Sequence, residues 1–235
     1  MVVDCGGGTV DITTRKLLEN NRLSEITERS GDFCGSTFVD KEFIKFLGGV
    51  LGTHVMDSLK NNHYQQLQYM IQKFCERAKH PFTGDDPNFG YEIDLDEICP
   101  AWVQYANEEV KERLEEIDRV IDINYVTIKQ MFDPVIERIL SMIRTQLDNS
   151  YHYGNCSMIF LVGGFGQSKY LQKRIKQEFQ SVMVLVPNNP LAAVSRGAAM
   201  YGLSLNVISS RVLKYTYGIQ VRNYWVCSFL FNWTL

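Results

Sequence analysis

Asp4-Cys5-Gly6-Gly7-Gly8-Thr9-Val10-Asp11 sets three glycines between two β-prone stretches. Without Cβ atoms the backbone N–H groups of such a turn can face outward together and cradle an anion, and Thr9 adds a hydroxyl donor. Asp4 and Asp11 flank the turn and could hold a hydrated Mg²⁺, an ion that keeps several waters and uses one or two carboxylates. No helix and no Lys-Ser/Thr pair follows the glycines, which excludes a Walker-type loop. The same residues would also make a plain hairpin with solvated aspartates.

A second glycine turn lies about 155 residues further on, in Phe160-Leu161-Val162-Gly163-Gly164-Phe165-Gly166-Gln167-Ser168. It reads as strand, turn and helix start, and the first amides of a helix attract an anion or polar ligand. A dinucleotide fingerprint is excluded, because its third glycine would fall at Lys169. By itself the segment reads equally well as a strand–helix turn with no ligand. Two such turns around a largely helical insertion suit a ligand clamped from two sides.

The elements that must position these turns follow from periodicity. Met1–Asp4 and Thr9–Lys16 read as strands, Asn20-Asn21 as a turn tolerant of positive φ, and Ser24–Ser30 as a return strand. Gly31–Gly35 reads as a turn, and Ser36 as the cap of a helix over Phe38, Val39, Phe43, Phe46 and Leu47. A helix over Tyr64–Lys79 ends at Pro81, and Phe89–Leu95 reads as a strand. Asp96 is expected to cap a helix running through Trp102 to Leu114, and Arg119–Ile123 reads as a short strand. Phe132, Val135, Ile136, Ile139, Leu140, Ile143 and Leu147 follow the i, i+3, i+4, i+7 rule of an amphipathic helix. Ser157–Val162 reads as a buried parallel strand without alternation. A helix over Gln167–Gln180, a strand over Ser181–Val186, a small-residue helix over Pro190–Leu203 and a last strand over Val212–Val221 complete the pattern.

Size and composition bound what this frame can do. The chain has 235 residues, 45% hydrophobic and 22% charged, which is ordinary globular composition. A net charge of −3 gives no bulk attraction to nucleic acid or an anionic membrane. No apolar run reaches the length of about 18 residues that a membrane span needs. Cys5, Cys34, Cys75, Cys99, Cys156 and Cys227 are scattered without metal spacing, as are the four histidines, so reduced thiols in the cytoplasm are expected. Met1 leads at once into a strand end, so the expectation is that the true chain begins upstream or that the gene model is truncated.

Five segments, in order, resemble motifs of the heat shock protein 70 family. Val3–Asp11 resembles its second phosphate motif, D-L-G-G-G-T-F-D. Gly31-Asp32 with Cys34-Gly35-Ser36 and Phe38-Val39-Asp40 resembles G-D-x-x-L-G-G-x-x-F-D. Cys75-Glu76-Arg77-Ala78-Lys79 is identical to C-E-R-A-K. Leu161-Val162-Gly163-Gly164 is similar to the adenosine motif, and Asn189-Pro190 through Gly197-Ala198-Ala199 to N-P-x-x-A-V-x-x-G-A-A. The resemblance covers roughly residues 1–203. Phe165 and Gln167 replace small hydroxyl and Arg residues, His80 stands for an adenine-stacking Arg, and Leu191 replaces Asp. With Arg211-Val212-Leu213 and Tyr217-Gly218, these departures look like the divergent 12A-like branch and put normal adenine affinity in question.

The resemblance implies an α/β, actin-like (ribonuclease H-like) lobe: a mixed sheet flanked by helices, with an inserted α+β subdomain. The second-lobe core would comprise residues 1–33 and 124–205, the insertion 34–123, and a C-terminal tail 206–235. It implies ATP or ADP with Mg²⁺. Gly6, Gly7, Gly8 and Thr9 would touch the β- and γ-phosphates, and Asp4 and Asp11 would position the attacking water and, through water, the metal. Glu76, Lys79, His80, Gly163, Gly164 and Phe165 would hold adenosine. A Glu–Lys pair three apart is otherwise an ordinary surface pair. Cochaperones or nucleotide-exchange factors would be partners. The family's first phosphate loop, D-x-G-T, and its lysine do not appear in residues 1–235, so weak or absent hydrolysis is expected. Two other readings stand beside this one: a non-enzymatic interaction module with a vestigial pocket, and a sugar kinase of the same superfamily.

Overall fold

The computed structural model describes residues 1–203 and 207–219. Its main sheet contains β1 (Val2–Cys5), β2 (Val10–Thr13), β5 (Ser30–Asp32), β8 (Met158–Val162) and β9 (Met183–Leu185). The order is β5-β2-β1-β8-β9. β2 runs antiparallel to both β1 and β5, whereas β1, β8 and β9 are mutually parallel. A small sheet joins β3 (Arg15–Leu17), β4 (Leu23–Glu25) and β10 (Ile208–Ser210), and β6 (Gly90–Asp94) pairs with β7 (Val120–Asn124). The helices are α1 (Thr37–Leu51), α2 (Thr53–Asn62), α3 (Tyr64–Phe74), α4 (Leu95–Ile98), α5 (Glu108–Glu115), α6 (Tyr125–Ser150), α7 (Lys169–Glu178) and α8 (Ala193–Leu203). The protein is thus α/β, with mixed sheets flanked by helices, an arrangement compatible with an actin-like ATPase fold.

The expected strands Thr9–Lys16 and Ser24–Ser30 each divide between two sheets. The cause is Gln146, a buried residue of α6. Its Oε1 accepts from Thr14 Oγ1 at 3.3 Å and Thr27 Oγ1 at 2.9 Å, and its Nε2 donates to the Glu28 carbonyl and to Ser30 Oγ. A buried amide must find partners, and it finds them where both strands leave the main sheet. Asn20 and Asn21 do take positive φ, 58° and 56°.

α1 forms because Val39, Phe43, Leu47 and Leu51 repeat every fourth residue and are all buried; Gly52, at φ 95°, ends it. Phe43 stacks on Phe74 of α3 with ring centroids 4.1 Å apart, which such pairs favour by roughly 0.5–1.5 kcal/mol beyond burial. α6 lays ten buried residues, Ile128 to Ser150, across the sheet. The buried residues form one continuous core from Met1 to Phe179.

Several sequence expectations need correction. α2 is a separate helix that the pattern did not single out. The expected helix through Trp102 to Leu114 is instead α4, a 3₁₀ turn that Pro100 opens (Pro100–Gln104) and α5, which Asn107 caps by accepting from Val110 N. Asp94, rather than Asp96, caps α4, accepting from Asp96 N and Glu97 N. Gly31 lies inside β5. Ser36 occupies the N-cap position of α1 without a side-chain cap bond. β8 is not buried throughout: Phe160 is 42% exposed between buried Ile159 and Leu161, while Leu161 and Val162 are both buried. Residues 211–219 contain no strand; β10 precedes them, and 220–221 lie outside the described residues, as do Cys227 and the rest of 220–235. No described helix is long and apolar enough to cross a membrane.

Candidate functional site

The glycine hairpin is built by what its carbonyls do. Gly6 N–H donates to the Thr9 carbonyl at 2.9 Å and closes the turn. The carbonyls of Gly6, Gly7 and Gly8 then accept from Ser36 N (3.1 Å), Thr37 N (2.8 Å) and Gly35 N (3.2 Å), and Thr37 Oγ1 also donates to Gly7 O at 2.9 Å. A helix start has amides without intrahelical partners, and α1 spends its own on the hairpin. Gly35 permits this approach, since a Cβ there would collide with the Gly7 carbonyl.

The hairpin amides are not spent in this way. Among the described residues, the N–H groups of Gly7, Gly8 and Thr9 have no acceptor, and all three residues are exposed. Neither Gly7 nor Gly8 has a left-handed φ. A Cβ at Gly8 would meet nothing within 4 Å, and one at Gly7 only Thr37 Cγ2 at 3.9 Å. Internal packing therefore does not demand glycine at either position. What the missing side chains leave open is access from outside, to three neighbouring free donors.

Asp4 and Asp11 are direct cross-strand partners, so they share one face of the sheet at close range. Asp4 is half-buried, and no donor reaches its carboxylate among the described residues. Burial first, and the Asp11 charge second, raise its pKa above the ordinary carboxylate value. Asp11 Oδ2 accepts from Thr9 Oγ1 at 3.2 Å. Two facing carboxylates, one of them lacking a donor, suit a hydrated divalent cation whose remaining ligands are water and phosphate. No cluster of three or more metal-ligating side chains exists among the described residues.

The second glycine turn abuts the first. Gly163 has φ 85°, its N–H donates to the Pro190 carbonyl at 2.9 Å, and a Cβ there would collide with Cys5 O and Asp4 Oδ1. Its amide is therefore committed to the fold. A 3₁₀ turn (Phe165–Gln167) follows, and Ser168 Oγ caps α7 by accepting from Leu171 N at 3.3 Å.

Beside this turn lies a cavity of about 290 Å³ lined by Ser36, Lys79, His80, Phe132, Gly164, Phe165, Gln167 and Ser168. Four of the six residues expected to hold adenosine thus share one wall. Gly163 sits one residue behind it. Glu76 does not line it: its exposed carboxylate accepts from Gln72 Nε2 at 2.7 Å and Lys73 Nζ at 3.4 Å. The Gln72 hydrogen bond and then the Lys73 charge hold Glu76 below its usual value. Lys79 pairs with Asp40 Oδ1 at 2.6 Å rather than with Glu76. Ser36 links the two halves of the site: it lines the cavity, and its N–H donates to Gly6 O of the hairpin.

The C-E-R-A-K segment is a π-helical turn, Cys75–Lys79, closed by His80 N–H donating to the Cys75 carbonyl at 2.9 Å. Such turns recur at functional sites because the extra residue re-aims side chains. Here Lys79 is buried while the adjoining His80 is exposed, and both face the cavity. Reasoning from sequence did not single out Ser36, Phe132, Gln167, Ser168 or Asp40 as site residues. Asp40 sat in a quoted motif, but nothing local marks a partner 39 positions away.

Comparison with known proteins gives a consistent placement. Residues 1–188 match the model of a family described as "Domain of unknown function (DUF8340)". The chain is similar to "Heat shock 70 kDa protein 12A" of Homo sapiens, 26% identical over 96% of this chain and 35% of that protein. The Mus musculus protein of that name matches equally. "Heat shock 70 kDa protein 12B" of Homo sapiens is 24% identical over 96% of this chain and 34% of that protein. The chain spans about a third of the length of these curated relatives. It belongs to the DUF8340 family, and it is a divergent relative of the heat shock protein 70 group on the 12A and 12B side.

Proposed function

We propose that this chain is the nucleotide-binding part of a heat shock protein 70-like ATPase domain and takes ATP or ADP with Mg²⁺. One observation carries the reading: three exposed N–H groups without an acceptor among the described residues stand on a hairpin whose carbonyls are all engaged, one of them by Ser36, which also lines a cavity of about 290 Å³. Gly7, Gly8 and Thr9 donate to the β- and γ-phosphates, and Gly6 gives the turn its shape. Asp4 and Asp11 hold the waters of the metal ion and orient the attacking water. Mg²⁺, when bound, neutralises phosphate charge. Lys79, His80 and Phe165 wall the nucleoside, with Gly164 beneath it. Glu76 reaches a ribose only by giving up Gln72 and Lys73.

These groups approach the phosphates from one side, and phosphoryl transfer needs positioned charge from both. Residues 1–235 alone are therefore expected to bind nucleotide and hydrolyse it slowly or not at all. A chaperone role in the cytoplasm, with cochaperones or exchange factors as partners, is proposed from the similarity to the heat shock proteins. Titration calorimetry with ATP·Mg²⁺ tests the reading. Heat that depends on Mg²⁺ and weakens in Asp4→Ala is expected. No heat at millimolar ligand points instead to an interaction module, and fast turnover untouched by Asp4→Ala overturns the assignment.

A further inference from the structure

Lys79 is buried, yet among the described residues its ammonium has one acceptor, Asp40 Oδ1 at 2.6 Å. An ammonium carries three N–H donors, so two remain for a ligand in the cavity that Lys79 lines. A buried cation without a counter-ion is costly. Asp40 supplies that charge from the first turn of α1, where the helix dipole favours a carboxylate. It is not itself part of the cavity wall. The Cys75 thiol donates to the same oxygen at 3.4 Å, which fixes the carboxylate against the start of the π-turn. Burial, then the Asp40 charge, push that thiol up to about 11, so it stays a neutral donor.

We propose that Asp40 is a positioning residue: it holds Lys79 Nζ at the cavity wall so that two N–H groups meet the acceptors of a neutral nucleoside. The inference rests on the reading that the cavity takes the nucleoside. With the ion pair internally neutral and no Asp, Glu, Arg or second Lys among the described residues that line the cavity, its chemistry favours sugar hydroxyls and ring nitrogens over a second anion.

The test compares ADP·Mg²⁺ with inorganic tripolyphosphate·Mg²⁺ by calorimetry. Asp40→Asn is expected to weaken ADP roughly tenfold and to leave tripolyphosphate unchanged. In a Lys79→Gln background, Asp40→Asn should cost nothing further. Equal loss for both ligands, or additive losses, overturns the proposal. A nucleotide-independent readout separates this inference from the assignment of function. In trace labelling with acetic anhydride, Lys79 relative to exposed Lys60 should react at least severalfold faster in Asp40→Asn than in the parent; unchanged labelling overturns the positioning role even if nucleotide binds. If the parent binds no nucleotide while the labelling changes as expected, the functional assignment fails and the placement of Lys79 by Asp40 stands. Asp40→Glu keeps the charge and serves if Asp40→Asn does not fold: it should lose ADP affinity alone, and affinity equal to the parent overturns the proposal.

Discussion

Gly8 and Gly163 both lie beside strands of the same sheet, yet a methyl group added to each would meet opposite surroundings. At Gly8 it would enter open space; at Gly163 it would strike the Cys5 carbonyl and the Asp4 carboxylate. The first glycine keeps the outer face clear, and the second lets two strand ends pack together. The amides differ in the same sense: those of Gly7 and Gly8 are free, and that of Gly163 is spent on Pro190. Glycine content alone cannot separate a ligand cradle from a packing device. The destination of the neighbouring N–H and C=O groups does separate them.

The largest test of this contrast is Gly163→Ala. A side chain at φ 85° that also overlaps backbone should cost about 3 kcal/mol in urea denaturation. A loss below about 1 kcal/mol would break the comparison. Gly8→Ala should do the reverse, leaving stability within about 0.5 kcal/mol while weakening ATP·Mg²⁺ roughly tenfold by calorimetry, as loss of a charge-assisted contact would. Thr37→Val removes one of the bonds that hold the Gly7 carbonyl and should cost about 1 kcal/mol of stability. A smaller ATP loss than in Gly8→Ala would show that the tether shapes the cradle without touching ligand.

The smallest effect expected is electrostatic. The raised pKa of Asp4 means that the folded state binds its proton more tightly than the unfolded chain does. Its contribution to stability is full below the unfolded carboxylate value and is lost as pH rises through the folded value. Asp4→Asn should therefore flatten that fall and raise thermal stability near neutral pH, by less than about 1 kcal/mol given the solvent screening at this site. It should also abolish the Mg²⁺ dependence of nucleotide affinity. A drop in melting temperature at neutral pH would show that the carboxylate stabilises the hairpin instead of straining it.

Much of the frame was legible in advance. The strands Val2–Cys5 and Val120–Asn124 lie close to the expected Met1–Asp4 and Arg119–Ile123, helix α6 lies where apolar periodicity put it, and the helix starting at Ala193 falls inside the expected small-residue helix. Trp102 and Leu114, expected on one helix, fall in separate elements, because Asn107 between them caps a new helix by accepting from Val110 N. The strand breaks near Thr14 and Thr27 were invisible because their cause, Gln146, lies 132 and 119 positions away. In the same way Glu76 and Lys79 look alike in sequence as a pair three apart. The π-turn leaves one on the surface with Gln72 and buries the other against Asp40.

By itself the sequence determined the alternation of strands and helices, the two glycine turns and the ordered motifs. Those depend on local backbone freedom and on side-chain period. Tertiary structure alone decided which glycine amides find no acceptor among the described residues, that no described donor reaches Asp4, and that Lys79 is held by Asp40. Each of these depends on what folding brings close, from residues 35–37, 190, 11 or 40, and pairwise distance is not encoded in spacing along the chain.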